Sequence, residues 1–169
     1  MVFALIMMSF RCGQSQSGPQ PDNAKNAEAI VAEVVQNTLK RGEGIVNGYK
    51  TSTWVPVSST DRQRVAELGA SAVEPLSARL SSNLPFIQLI AVQLLGTIGG
   101  DQSVAPLQSA LTNDRWVVVR MQALTSLTST PDAKAIPLID SMRKDEDFRV
   151  RQRAESILRD HYGIKISAP

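Results

Sequence analysis

The sequence predicts an all-α solenoid, a stack of helical hairpins, on three observations. Pro75-Leu76, Pro106-Leu107 and Pro137-Leu138 recur at an interval of 31 residues. A second pattern runs alongside at spacings of 32 and 31: Ile87-Gln88…Ala91…Leu95, Val119-Arg120…Ala123…Leu127 and Val150-Arg151…Ala154…Leu158. Within each copy the apolar residues follow helical spacing, and Gly or Pro turns separate the runs. Two interleaved patterns of nearly one period mark a tandem helical repeat.

The chain opens with an apolar run, Met1 to Phe10. It is too short to cross a bilayer as a helix but suits the apolar core of a secretory signal peptide, although the positively charged start of such a peptide is absent. Cys12 follows, then a Gly/Ser/Gln/Pro stretch to Pro21 with the composition of a solvated tether. An apolar run, a cysteine and a polar tether resemble the start of a bacterial lipoprotein, where the cysteine is acylated. The sequence departs from that pattern just before the cysteine, where Arg11 stands in place of a small residue. Residues 1–21 are expected to form a leader and tether. Export to the periplasm or envelope is expected, with Cys12 the candidate lipidation site and membrane tether.

Residues 22–59 are expected to form an N-terminal helix and a capping loop. Ile30, Val31, Val34, Val35 and Leu39 make one apolar stripe between Asp22 and Arg41. Asp22 or Asn23 can accept from free amides of the first turn. Lys40 and Arg41 suit the carbonyl end, and Gly42 can stop the helix. Its apolar stripe needs a partner, and the open N-terminal end of the stack supplies one. Gly44, Gly48 and Pro56 then break the helical pattern. Tyr49 and Trp54 are large aromatics in a chain of small aliphatics. They can cover the first repeat or offer a contact to a partner.

Residues 60–162 hold the repeats, each read as a helix A, a tight turn and a helix B. The first unit has a short helix A over 61–68, a turn at Gly69 and helix B over 71–80. In the second, Ser82 or Asn83 caps a helix A over 85–97. Ile87, Ile90, Ala91, Leu94, Leu95 and Ile98 give this helix a wide apolar face. Gly99-Gly100 supplies the left-handed turn. Helix B starts at Asp101 and turns Val104, Leu107 and Leu111 inward. Pro106 falls about one turn in, where a missing amide costs little. The third unit has Asn113-Asp114 as cap, helix A over 115–127, a turn at Thr130-Pro131-Asp132 and helix B over 133–142. A fourth helix A over 145–161 has no helix B after it, and residues 163–169 form a tail. The total is about three and a half repeats.

Ala91, Ala123 and Ala154 share one position, so neighbouring helices A can approach closely. Arg120 and Arg151, with Gln88 as the third copy, share another. The arginines follow Asp114 and Asp145 by six residues each. This spacing predicts a ladder in which an Asp caps its own helix and an Arg bridges to an adjacent unit.

The unit length, the (Val/Ile)-(Arg/Gln)-x-x-Ala-x-x-x-Leu pattern and the Ala/Val-x-Pro-Leu helix B resemble HEAT-like repeats, most closely the short bacterial variety also found in phycobilin lyases. The resemblance covers residues 60 to 162 and implies a right-handed α-α superhelix. It carries no activity with it, since nothing beyond the repeat points to a bilin.

Composition excludes several chemistries. One cysteine rules out an internal disulfide framework, and one histidine, His161, rules out a His cluster. There is no Gly-rich phosphate loop. His161 reads as a solvated residue at a helix C-terminus, and Asp145-Glu146-Asp147 as negative charge favoured at a helix N-terminus. A net charge of +2, with acids and bases interleaved, argues against nucleic acid as partner. No catalytic residue, cofactor or metal is expected. The expected function is a non-enzymatic, monomeric protein-interaction scaffold. Solenoid curvature would let helix B residues line a concave groove. Gln102, Gln108, Lys134 and Asp140 are its candidate contacts, with Trp54 and Tyr49 at one end, and Ser103, Ser109 and Ser141 belong to the same surface. Two alternatives stay open: an accessory or chromophore-lyase-like factor, and a structural envelope-anchored protein.

Overall fold

The computed structural model describes residues 21–46, 49–113 and 115–166. Cys12, Asp114 and the side chains of Asp22 and Tyr49 lie outside the described residues.

Helix α1 (Pro21–Gly42) begins one residue ahead of the expected start, with Pro21 where a proline costs no hydrogen bond. Asn23 is exposed inside its first turn rather than capping it. Ala27, Val31, Val34 and Val35 are buried along one stripe. The expected loop after it contains an antiparallel hairpin, β1 (Glu43–Val46) and β2 (Tyr49–Ser52), with Val46 opposite Tyr49. The sequence signal for it is Asn47-Gly48 between β-prone residues, a strong tight-hairpin signature.

The repeats follow in order. α2 spans Ser59–Leu68. A 3-10 turn (Gly69–Ala72) leads into α3 (Val73–Arg79). α4 is Pro85–Ile98. A second 3-10 turn (Asp101–Ser103) leads into α5 (Val104–Asn113). α6 is Val117–Leu127 and α7 is Asp132–Ser141. A third 3-10 turn (Met142–Lys144) precedes α8 (Phe148–Asp160).

Packing shifts the phase of the repeat by one helix. The tight hairpins are α3 with α4, α5 with α6 and α7 with α8, whereas α4 with α5 and α6 with α7 pack more loosely. The count of three and a half units stands, with α2 as the half unit at the N-terminal end in place of α8 at the other. Gly99 and Gly100 have φ of 62° and 66°, so the turn between α4 and α5 needs residues without a Cβ. A Cβ on Gly99 would also come within 2.5 Å of the Ser129 carbonyl oxygen.

Two layers result. The former helices A (α2, α4, α6, α8) pack directly on one another in sequence, and the former helices B (α3, α5, α7) touch each other sparsely. Small residues permit the close layer. Ala91, Ala123 and Ala154 are fully buried. Gly96 faces Ser126, whose Oγ donates to the Val92 carbonyl across the α4–α6 interface at 2.9 Å. A stack curves toward its more closely spaced layer. The concave side therefore belongs to α2, α4, α6 and α8.

Both ends are covered. α1 lies on α2 and α4 and is tied down by two bidentate pairs. Arg64 binds Glu33 at 3.1 and 2.9 Å, and Arg79 binds Glu28 at 3.0 and 2.6 Å. At the other end Tyr162, Ile164 and Ile166 fold back against the core, including residues expected to be a tail.

Several caps differ from expectation. Leu84 is the N-cap of α4, with no side-chain cap, and Ser82 Oγ accepts from the Leu84 amide at 3.2 Å. Asn113 ends α5, and Trp116 is the N-cap of α6. α8 is capped by Asp147, whose side chain accepts from the Arg149 amide. Asp145, two residues earlier, accepts from the Asp147 amide. In each case the chain enters the helix extended, and the residue at the bend becomes the cap whatever its polarity.

Candidate functional site

The ladder of the sixth-residue spacing forms in part. Arg120 bridges to the next hairpin, donating Nε to Asp145 Oδ2 at 2.9 Å and Nη2 to Oδ1 at 2.8 Å. The hydrogen bond to Asp145 and its charge hold the guanidinium above its ordinary, already high pKa. Arg151 instead donates to the carbonyls of Asp145 and Glu146 in the loop before its own helix. Gln88 does the same, donating Nε2 to the Leu80 carbonyl at 2.9 Å, while its Oε1 is buried without a partner. Gln88 borders a polar hollow of about 670 Å³ between α3 and α5, lined by Ser77, Ser81, Ser82, Asn83, Ser109 and Arg115 among others.

The concave layer carries the apolar hollows. Trp54, from the segment after β2, stacks on Phe86 of α4, with ring centroids 6.4 Å apart and planes 20° apart. On one side of this pair a hollow of about 380 Å³ is walled by Leu39, Val55, Leu84 and Ile90, among others. On the other side a second hollow of about 380 Å³ is walled by Leu89, Val118, Met121, Gln122, Thr125 and Arg153. It runs into a third, of about 270 Å³, which shares Gln122 and Thr125 and adds Arg62, Gln93, Thr97 and Ser129. Val118 and Leu84 are 51% and 59% exposed, unusual openness for large apolar side chains grouped with aromatics.

Two arginines border this groove. Arg153 donates Nε and Nη2 to Thr125 Oγ1 at 3.3 and 2.9 Å. Arg62 donates Nη1 to the Val57 carbonyl at 2.7 Å, and the Val57 amide in turn donates to Gln93 Oε1 at 3.1 Å. These bonds fix both guanidinium groups at the groove wall and leave most of their donors open.

The residues singled out from sequence are divided by the fold. Gln102 and Gln108 are exposed on the 3-10 turn and α5. Lys134 Nζ lies 3.0 Å from Asp101 Oδ2, and Asp140 pairs with Arg143 at 3.2 Å. All four lie in the α3, α5, α7 layer, apart from the hollows beside Trp54. Ser103 of that group is buried, with Ser109 and Ser141 exposed. Of the candidates whose side chains are described, Trp54 is the one brought to the groove. Phe86, Leu89, Val118 and Met121 were not anticipated. The available signal was that Phe86 and Val118 occupy one repeat position, next to Ile87 and Val119, where a helix facing solvent would carry polar residues.

His161 is exposed, with its ring edge-on to Tyr162 at 4.6 Å. Among the described residues, no group of three or more His, Cys, Asp or Glu is placed to hold a metal ion, and no helix is long and apolar enough to cross a membrane.

A family model described as HEAT repeats matches residues 73–159, just over half of the chain, from the first residue of α3 to the penultimate residue of α8. That stretch coincides with the three hairpins. No curated protein matches the chain.

Proposed function

The chain belongs to the HEAT-repeat family, and from that premise we propose that it is a non-enzymatic protein-interaction module whose docking face is the concave layer of α2, α4, α6 and α8. HEAT repeats commonly serve as protein-interaction scaffolds. The observation that supports this particular face is the groove beside the Trp54–Phe86 stack, where Val118 stands half exposed among Leu89 and Met121. Aromatic and aliphatic anchors in a hollow rimmed by amides and hydroxyls are the arrangement that carries interface energy. Two arginines are too few for electrostatic binding of nucleic acid, which needs several phosphate contacts.

The test is capture from the protein's own cell extract by the full chain, with two variants beside it. Val118→Glu with Met121→Glu blocks the groove; Gln108→Glu with Lys134→Glu alters the outer layer. Capture lost with the first variant and kept with the second is the expected result. The reverse would move the docking face to the outer layer around Gln102, Gln108, Lys134 and Asp140. Equal capture by all three, or none by any, would overturn a docking role for the concave groove.

A further inference from the structure

We infer that the concave groove takes an acidic segment of a partner protein, with apolar side chains seated beside Trp54 and carboxylates held by Arg62 and Arg153. The inference rests on the reading of this face as the docking surface and adds the chemistry of its occupant. Three features of the groove carry it. First, the apolar and the basic parts are continuous, because the hollow holding Val118 and Met121 shares Gln122 and Thr125 with the hollow holding Arg62. Second, among the described residues no carboxylate lines either hollow. Third, both guanidinium groups are positioned by neutral partners, Arg153 by Thr125 Oγ1 and Arg62 by the Val57 carbonyl.

The contrast with other arginines of the chain gives the third feature its weight. Arg64, Arg79, Arg120 and Arg149 each have a carboxylate within 3 Å. Their charge is answered inside the molecule. Arg62 and Arg153 are held in place without that answer, half-buried beside apolar surface where water competes less well. A guanidinium presents its donors in a planar fork that matches a carboxylate at two points. A positive site next to an apolar hollow favours a segment pairing apolar side chains with Asp or Glu and disfavours a basic one, since like charges across an interface are penalised.

Peptide-display selection against the full chain tests this, with Arg62→Glu/Arg153→Glu and Val118→Glu variants run in parallel and their folding checked by thermal melting. Enriched peptides are expected to combine Leu, Phe or Met with Asp or Glu. Synthetic versions should lose at least ten-fold in affinity to both variants, read by fluorescence anisotropy. Enriched peptides without an excess of acids, or acidic ones indifferent to Arg62→Glu/Arg153→Glu, would overturn the acidic assignment. If such peptides still lose affinity to Val118→Glu, the groove remains the docking face. No enrichment, or binding indifferent to both variants, would overturn the docking face as well.

Discussion

Arg120 and Asp145 join consecutive hairpins through two parallel hydrogen bonds, at 2.9 and 2.8 Å, with side chains only 5% and 6% exposed. Taking both charges out of water costs about as much as their attraction returns, so the intact pair contributes little net stability, whereas removing Asp145 takes from a buried Arg120 its main counter-charge and leaves Glu146 Oε1 at 3.5 Å, on an exposed side chain, beside it. Asp145→Ala should therefore cost about 3–5 kcal/mol in urea unfolding, and Arg120→Met paired with Asp145→Leu should cost clearly less. A loss below about 1 kcal/mol for Asp145→Ala would mean that water reaches the Arg120 guanidinium once its partner is gone.

Gly96→Ala sets two effects against each other. In a helix interior the change normally gains about 1 kcal/mol. Here the new Cβ would lie 2.6 Å from Ser126 Oγ and 2.7 Å from Ser126 Cβ, so α4 and α6 would have to separate. Overpacking costs about 1–3 kcal/mol, and the displaced Ser126 also loses its bond to the Val92 carbonyl. Packing should win, and the melting temperature should fall. A rise would show that the α4–α6 interface yields freely.

The repeat was legible because burial imposes it. Ala91, Ala123 and Ala154 recur since each meets the neighbouring helix, and all three are fully buried. The Arg120 bridge to the next unit was legible for the same reason, a charge recurring in register beside an acid. The pairing of helices was not, because a repeat has no intrinsic first residue. A helix A–helix B unit and a helix B–helix A unit give the same periodicity, and which loop closes the tight hairpin is decided by packing between elements. That ambiguity is why helix B residues such as Gln108 and Lys134 were the expected groove contacts, whereas the hollows beside Trp54 lie on α4 and α6. It hid the groove too, since Phe86 and Val118 stand directly beside Ile87 and Val119 in the sequence and only the fold shows Val118 half exposed.

Lys134 and Asp101 form the outer-layer counterpart of the Arg120 bridge, at 3.0 Å but more than half exposed. An exposed pair contributes about 0.2–1 kcal/mol and is screened by salt. Lys134→Ala should shift stability by less than about 0.5 kcal/mol in 0.5 M salt, a small fraction of the loss expected for Asp145→Ala. A larger effect would mean that the outer layer is held by its charges rather than by the hairpin packing beneath it.

Asp147 gives the fold an acid-sensitive point. Its carboxylate accepts from Arg149 Nε at 3.0 Å and Nη2 at 2.8 Å and caps α8 through the Arg149 amide at 2.9 Å. The Arg149 side-chain bonds are the main cause that lowers its pKa to about 2, with the amide bond and charge of Arg149 assisting. Because the folded value lies below the ordinary one of about 4, this contribution is complete above pH 4 and fades as pH falls from about 4 to about 2. Glu33 and Asp160 are also lowered, by Arg64 and by Ser156 with Arg159, so the whole protein weakens over a similar range. Asp147→Asn isolates one part of that loss. Asparagine still caps a helix but neither titrates nor pairs with Arg149. The variant should be less stable than the parent at pH 7, and the difference should shrink toward pH 2, followed by urea unfolding at several pH values. A difference constant from pH 7 to pH 2 would show that Asp147 acts on α8 only as a neutral cap.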